Sequence, residues 1–184
     1  SNTAKREWLR DYIERGQHRR ALTPQRRVQV LQRLTKVETM ERYFRKQFMS
    51  QKTFSIEGLD VMVPMLEETI SMLAEDGTKT VVLGMAHRGR LSTIAHVVNR
   101  PYEELLAEFE SAALREQAPA TAGDDDDATG DVKYHHGAHG EYVTPVGTKI
   151  TVELASNPSH LEAVDGVVEG MTRCLQTDHA VNPP

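Results

Sequence analysis

The sequence predicts an α/β fold: parallel strands flanked by helices, with a helical segment at the amino terminus. Three observations predict it. "TVVLGM", 80–85, is short, β-branched and apolar on both faces, the composition of a buried parallel strand. "KITVELA", 149–155, is a second strand candidate. Stretches with apolar residues three and four apart surround both, and helix–strand–helix order sets helices on the faces of a parallel sheet.

The bulk numbers bound the answer. The 184 residues suffice for one ordinary domain or part of a larger one. Hydrophobic residues at 39% and charged residues at 27% are those of a soluble globular chain. A net charge of −5 argues against a broad nucleic-acid surface, and Arg19-Arg20 and Arg26-Arg27, interleaved with acids, read as solvated helix faces. One cysteine, Cys174, excludes a disulfide framework and suits a reducing compartment. No apolar run approaches the roughly 20 residues of a membrane span. Ser1-Asn2 resembles a tag-cleavage scar and is set aside. The end, Val181-Asn182-Pro183-Pro184, lacks a closing element, as expected of a piece of a longer polypeptide.

Residues 4–15 form a helix with Trp8, Leu9, Tyr12 and Ile13 on one face, ended by Gly16. Thr23-Pro24 reads as a cap with proline at the first helical position. From 24 to about 49, Val28, Leu31, Leu34, Val37, Met40, Tyr43 and Phe44 make one long amphipathic helix or two in succession. "TFSIEG", 53–58, interrupts, and Leu59, Met62, Val63, Leu66, Ile70 and Leu73 mark the next helix, capped by Gly77. After the strand at 80–85 come helices at about 91–99 and from Pro101 to about 114. Residues 115–130, with four consecutive aspartates and no large apolar side chain, read as a mobile acidic loop. The aspartates lack the alternating spacing of a calcium loop. The strand at 149–155 and a helix at about 160–175 follow, and there is no internal repeat.

In open parallel sheets, ligands bind beyond the carboxyl ends of the strands. "AHRGR", 86–90, follows the first strand, "SNPSHLE", 156–162, the second, and "GDVKYHHGAHG", 130–140, precedes the second. His87-Arg88-Gly89-Arg90 is either a solvated turn or an anion grip, for glycine admits close backbone approach and arginine binds carboxylate or phosphate with two bonds. Ser159 and Glu162 have capping-box spacing, and a helix start is also an anion site, so both roles stand. His135, His136 and His139 suggest a metal, but Gly137 and Gly140 oppose a helix and no cysteine completes a set. Substrate binding or acid–base work is preferred to zinc. No nucleophile elbow, Walker loop or dinucleotide fingerprint is present. The residues alone support an α/β piece with an anion-oriented site rich in histidine and arginine.

"FSIEG", "GMAHRGRL", "GDVKYHHG" and "NPSHLEAV", in this order, resemble the thiamine-diphosphate-dependent 2-oxoglutarate dehydrogenases, the decarboxylating first components of their complex, from about Trp8 to Leu175. The 2-oxoadipate dehydrogenases share much of the pattern. The resemblance implies a fragment of a thiamine-diphosphate-binding fold: 1–50 a helical amino-terminal segment, 51–184 a partial cofactor-binding α/β domain. It implies oxidative decarboxylation of 2-oxoglutarate in the tricarboxylic acid cycle, with the cofactor as electron sink. The succinyl group then passes to lipoyl on the dihydrolipoyl succinyltransferase partner. It also implies a homodimer and a cytoplasmic setting in bacteria, or the mitochondrial matrix in eukaryotes.

By the same resemblance, His87 and His135 are the catalytic, substrate-binding histidines and Ser159 the substrate-binding serine. Arg88 meets the cofactor diphosphate and Leu161 abuts the cofactor. His136 stands where the family commonly has an apolar residue and is given no role; Phe54 and Glu57 lie in a block taken as structural. The magnesium ligands, an Asp…Asn pair, lie in the family beyond "NPSHLE", outside this chain, so no metal ligand is assigned here and the isolated piece is expected to be inactive. A non-catalytic assembly module docking through the amino-terminal helices, and a metal hydrolase built on the histidine cluster, are the competing readings.

Overall fold

The computed structural model describes residues 2–19, 21–49, 51–117, 134–157 and 160–181. The chain divides into two compact units, Ser1–Gln32 and Arg33–Pro184. The first holds α1 (Thr3–Glu14) and the opening turns of α2 (Pro24–Gln47). Asn2, set aside as a scar, caps α1: its side chain accepts from the Lys5 N–H at 3.2 Å. Thr23 does the same for α2, accepting from the Arg26 N–H at 3.2 Å. The apolar face expected of α1 exists but buries nothing; Trp8 stays 62% exposed and stacks on Tyr12 at 5.1 Å.

In the second unit the rest of α2 turns Val37, Met40 and Phe44 into the core, while Tyr43 remains exposed. Phe44, Phe48 and Phe109 form an aromatic knot, with Phe109 4.7 Å from Phe44 and 5.0 Å from Phe48. Next come α3 (Met62–Glu75), β1 (Thr80–Leu83), α4 (Arg90–His96) and α5 (Tyr102–Gln117). β2 (Ala138–Val143), β3 (Lys149–Leu154) and α6 (Leu161–Val181) complete the order. All seven residues of α4 are buried, which makes this short helix the hub of the unit. Of the stripe expected on α3, Val63 and Ile70 are buried, whereas Leu59 and Leu73 are exposed.

The sheet corrects the expectation in three ways. β1 and β3 are parallel neighbours as predicted, with Val81 opposite Val152 and Leu83 opposite Leu154. The sheet is nevertheless mixed, in the order β1-β3-β2, because β2 pairs antiparallel with β3. β2 was not expected as a strand: Gly140, Ala138 and His139 carry little strand propensity, and pairing with β3 supplies what propensity does not. Finally, β1 is half-buried along its length rather than covered on both faces, as befits its place at the sheet edge; β3, in the centre, buries Ile150, Val152 and Leu154.

Of the stretch 115–130 read as a mobile acidic loop, 115–117 belong to α5, which continues to Gln117, and 118–130 lie outside the described residues. Cys174, on α6, is exposed. Among the described residues, no helix is long and apolar enough to cross a membrane.

Candidate functional site

β2 runs opposite to β3, so its start lies at the carboxyl end of β3, where Ala138 pairs with Leu154. The segment before β2 therefore meets the segments after β1 and β3 at one edge of the sheet. The three stretches picked out from sequence thus converge, through a strand that sequence reasoning missed.

The turn after β1 carries His87. Its geometry depends on Gly89, whose backbone is left-handed at φ 72° and whose N–H donates to the Phe54 carbonyl at 2.8 Å. A Cβ at Gly89 would come within 2.9 Å of the Ile56 side chain, so glycine serves both the turn and the close approach. Phe54 itself has φ 44°, a costly conformation for an aromatic residue. In return its ring packs against His87 at 4.6 Å and meets the Tyr134 ring edge-on at 4.8 Å. The block taken as structural thus forms one wall of the site.

His135 lies across from His87, with ring centroids 4.9 Å apart and planes at 61°. Its carbonyl accepts from the Asn157 N–H at 2.9 Å, which ties the segment before β2 to the segment after β3. Tyr134 and Asn157 are both buried, at 1% and 4% exposure. Sequence reasoning gave neither a role, although Tyr134 adjoins the histidine pair and the asparagine lies inside "SNPSHLE".

The two arginines of the turn part ways. Arg88 is exposed and donates from Nη2 to the Glu57 carbonyl at 2.8 Å. Arg90, which the motif offered as a second anion grip, is wholly buried and donates to three backbone carbonyls, those of Met85, His136 and Ala155. Burial lowers its pKa to about 10, so it stays charged at neutral pH. It is a strut inside the sheet edge, since a side chain with no exposure cannot grip a solvent-borne anion.

The remaining candidates are dispersed. Leu161 opens α6 and is 55% exposed, and Ser159 lies outside the described residues. His136 is exposed. His139 belongs to β2 and pairs with Glu153 of β3, Nδ1 to Oε1 at 2.6 Å. The three histidines of "HHGAH" therefore serve different places. Among the described residues, no group of three or more His, Cys, Asp or Glu side chains converges on one point.

A second polar cluster is buried near α4. His96, 3% exposed, has its Nδ1 3.4 Å from Arg33 Nη1 and 3.3 Å from the Tyr102 hydroxyl. Arginine only donates, so Nδ1 is the acceptor and Nε2 carries the proton. Desolvation, with the Arg33 and Lys36 charges, pushes the His96 pKa down to about 4. Arg33 is in turn paired with the buried Glu67 at 2.5 Å. Nothing in the sequence patterns distinguished His96.

No family model matches the chain. It is 47% identical over 178 residues to the 2-oxoglutarate dehydrogenase E1 component of Bacillus mycoides, covering 95% of the chain and 18% of that protein. To the E1 component of Bacillus licheniformis it is 44% identical over 173 residues (93% of the chain, 18% of the relative). To that of Geobacillus sp. it is 44% identical over 185 residues, 97% of the chain and 19% of the relative. The chain therefore spans about a fifth of the length of these relatives. Agreement at this level over nearly all of its residues, with the quoted motifs meeting at one sheet edge, makes the chain similar to one part of the 2-oxoglutarate dehydrogenase E1 components.

Proposed function

We propose that this chain supplies one side of the active site of a thiamine-diphosphate-dependent 2-oxoglutarate dehydrogenase, with His87 and His135 as its substrate-binding, catalytic histidines. The observation that carries the reading is their placement: two imidazoles 4.9 Å apart at the strand ends, walled by Phe54 and Tyr134. A 2-oxo dicarboxylate presents a carbonyl and two anions. Fixed imidazole N–H groups donate to such oxygens, and donors set in advance toward developing charge cost no reorganisation during reaction.

The residues fit the cofactor. A diphosphate asks for cations with spare donors, and Arg88 spends one of its five N–H groups on Glu57 while remaining exposed. The exposed Leu161 offers an apolar surface to the cofactor rings. Ser159, next to the start of α6, completes the substrate set. Thiamine diphosphate, when bound, supplies the electron sink for decarboxylation. In this reading the fold is part of a thiamine-diphosphate-binding domain, and the magnesium ligands come from outside the chain. The whole protein works as a cytoplasmic homodimer and passes the succinyl group to lipoyl on dihydrolipoyl succinyltransferase.

The test is steady-state kinetics in the whole enzyme. His87→Ala and His135→Ala should each lower turnover of 2-oxoglutarate by about 10²–10³, with thiamine diphosphate affinity retained. Normal turnover in either variant would overturn the assignment of that histidine.

A further inference from the structure

We infer that Arg90 is a positioning residue for the histidine pair: it fastens the segment carrying His135 to the ends of β1 and β3. The inference rests on the reading of the site just given. Arg90 is 0% exposed. Its Nη1 donates to the Met85 carbonyl at 3.2 Å, and its Nη2 donates to the carbonyls of His136 and Ala155, each at 2.7 Å. Those carbonyls belong to the turn after β1, the segment before β2 and the segment after β3. One planar guanidinium thus joins all three pieces of the site.

The arrangement is costly as a stability device. Among the described residues Arg90 makes no ion pair, and its Nε has no hydrogen-bond partner. A buried cation without a carboxylate carries a desolvation penalty that an apolar side chain of similar volume avoids. What the guanidinium provides instead is direction: several donors in a rigid fork, which lysine cannot reproduce. The strands already hold one another through their own ladders, so the bond that adds new geometry is the one to His136, directly after His135.

The same segment is held at two further points. The Asn157 N–H donates to the His135 carbonyl at 2.9 Å. Gly137 lies so close to β3 that a Cβ there would meet the Leu154 carbonyl oxygen at 2.9 Å and Ser156 Oγ at 3.2 Å. Alanine at 137 therefore displaces the segment without touching the buried charge.

Arg90→Met, Arg90→Lys and Gly137→Ala test this. Nuclear Overhauser contacts between the His87 and His135 ring protons report the pair, and backbone contacts between β1 and β3 report the sheet. Arg90→Met and Gly137→Ala should lose the ring contact and keep the sheet contacts, with Arg90→Lys between them and the wild type. In the whole enzyme, both should lower kcat/KM for 2-oxoglutarate by about tenfold to a hundredfold, the scale of a misplaced catalytic group, while thiamine diphosphate affinity holds. A folded Arg90→Met or Gly137→Ala chain with the wild-type ring contact would overturn the inference. If Arg90→Met does not fold, Gly137→Ala and Arg90→Lys decide. A wild-type enzyme inert toward 2-oxoglutarate would sink the proposed function instead, and the ring contacts would still decide the role of Arg90.

Discussion

The imidazole rings of His87 and His135 face one another at 4.9 Å although 47 residues separate them in the chain and neither belongs to a strand. In the proposed site, two side chains this close on one small substrate act as a unit. Their substitutions should therefore be non-additive: the His87→Ala/His135→Ala double variant should lose much less than the product of the single losses in kcat/KM. A double-mutant cycle in the whole enzyme measures this, and simple multiplication of the two losses would separate their roles.

Arg88 should affect the cofactor rather than the substrate. Arg88→Ala is expected to raise the thiamine diphosphate Kd by tenfold or more, since hydrogen bonds to charged groups are worth about 1.5–3 kcal/mol. Arg88 bonds the backbone carbonyl of Glu57, not its carboxylate, which instead pairs with Arg45 at 2.8 Å. Glu57→Gln should leave cofactor affinity unchanged. Titration calorimetry on the two variants distinguishes these roles.

Gly89→Ala should destabilise the chain by about 2–4 kcal/mol, from a left-handed backbone that L-residues resist and from overlap with Ile56. Gly166→Ala is the contrasting case. It lies within α6 with open space where the Cβ would go, and should stabilise by about 0.5–1 kcal/mol. Urea unfolding of both variants checks the pair of signs.

His96 makes stability depend on pH. Its folded pKa, about 4, is depressed by burial and by Arg33 and Lys36, whereas an unfolded histidine titrates near 6.5. Between these values the unfolded chain binds the proton and the folded chain does not. The His96 contribution is therefore complete above about pH 6.5 and falls by about 3 kcal/mol as pH drops toward 4. Arg33 and Tyr102 touch the ring, Lys36 adds a positive charge nearby, and Arg33 is in turn paired with Glu67. Thermal unfolding from pH 7.5 to 4 should show the loss, and His96→Gln should flatten that part of the curve.

Much of the fold was legible in the chain. Six helices and two parallel strands follow from apolar spacing, from Pro24 behind a capping Thr23, and from the β-branched runs at 80 and 149. The three polar stretches next to the strands were picked out as well, and in the fold they meet at one edge of the sheet. The exposure of Trp8 and the half-burial of β1 were not legible. Periodicity says which residues share a face and says nothing about what covers that face.

The sequence by itself determined the likeness to 2-oxoglutarate dehydrogenase E1 components, the helices, the pairing of β1 with β3, and the choice of His87 and His135 as candidates. The tertiary structure alone decided β2, for a segment holding Ala138, His139 and Gly140 becomes a strand only when β3 offers a ladder. That antiparallel strand turns its start toward the end of β3 and so brings His135 to His87. The structure alone also separated two arginines that the motif presents as equals. Arg88 stays in solvent against Glu57, while Arg90, the first residue of a fully buried helix, donates to three backbone carbonyls. Spacing along a chain cannot distinguish them, because a guanidinium takes its role from the dielectric and the acceptors around it, and only packing supplies those.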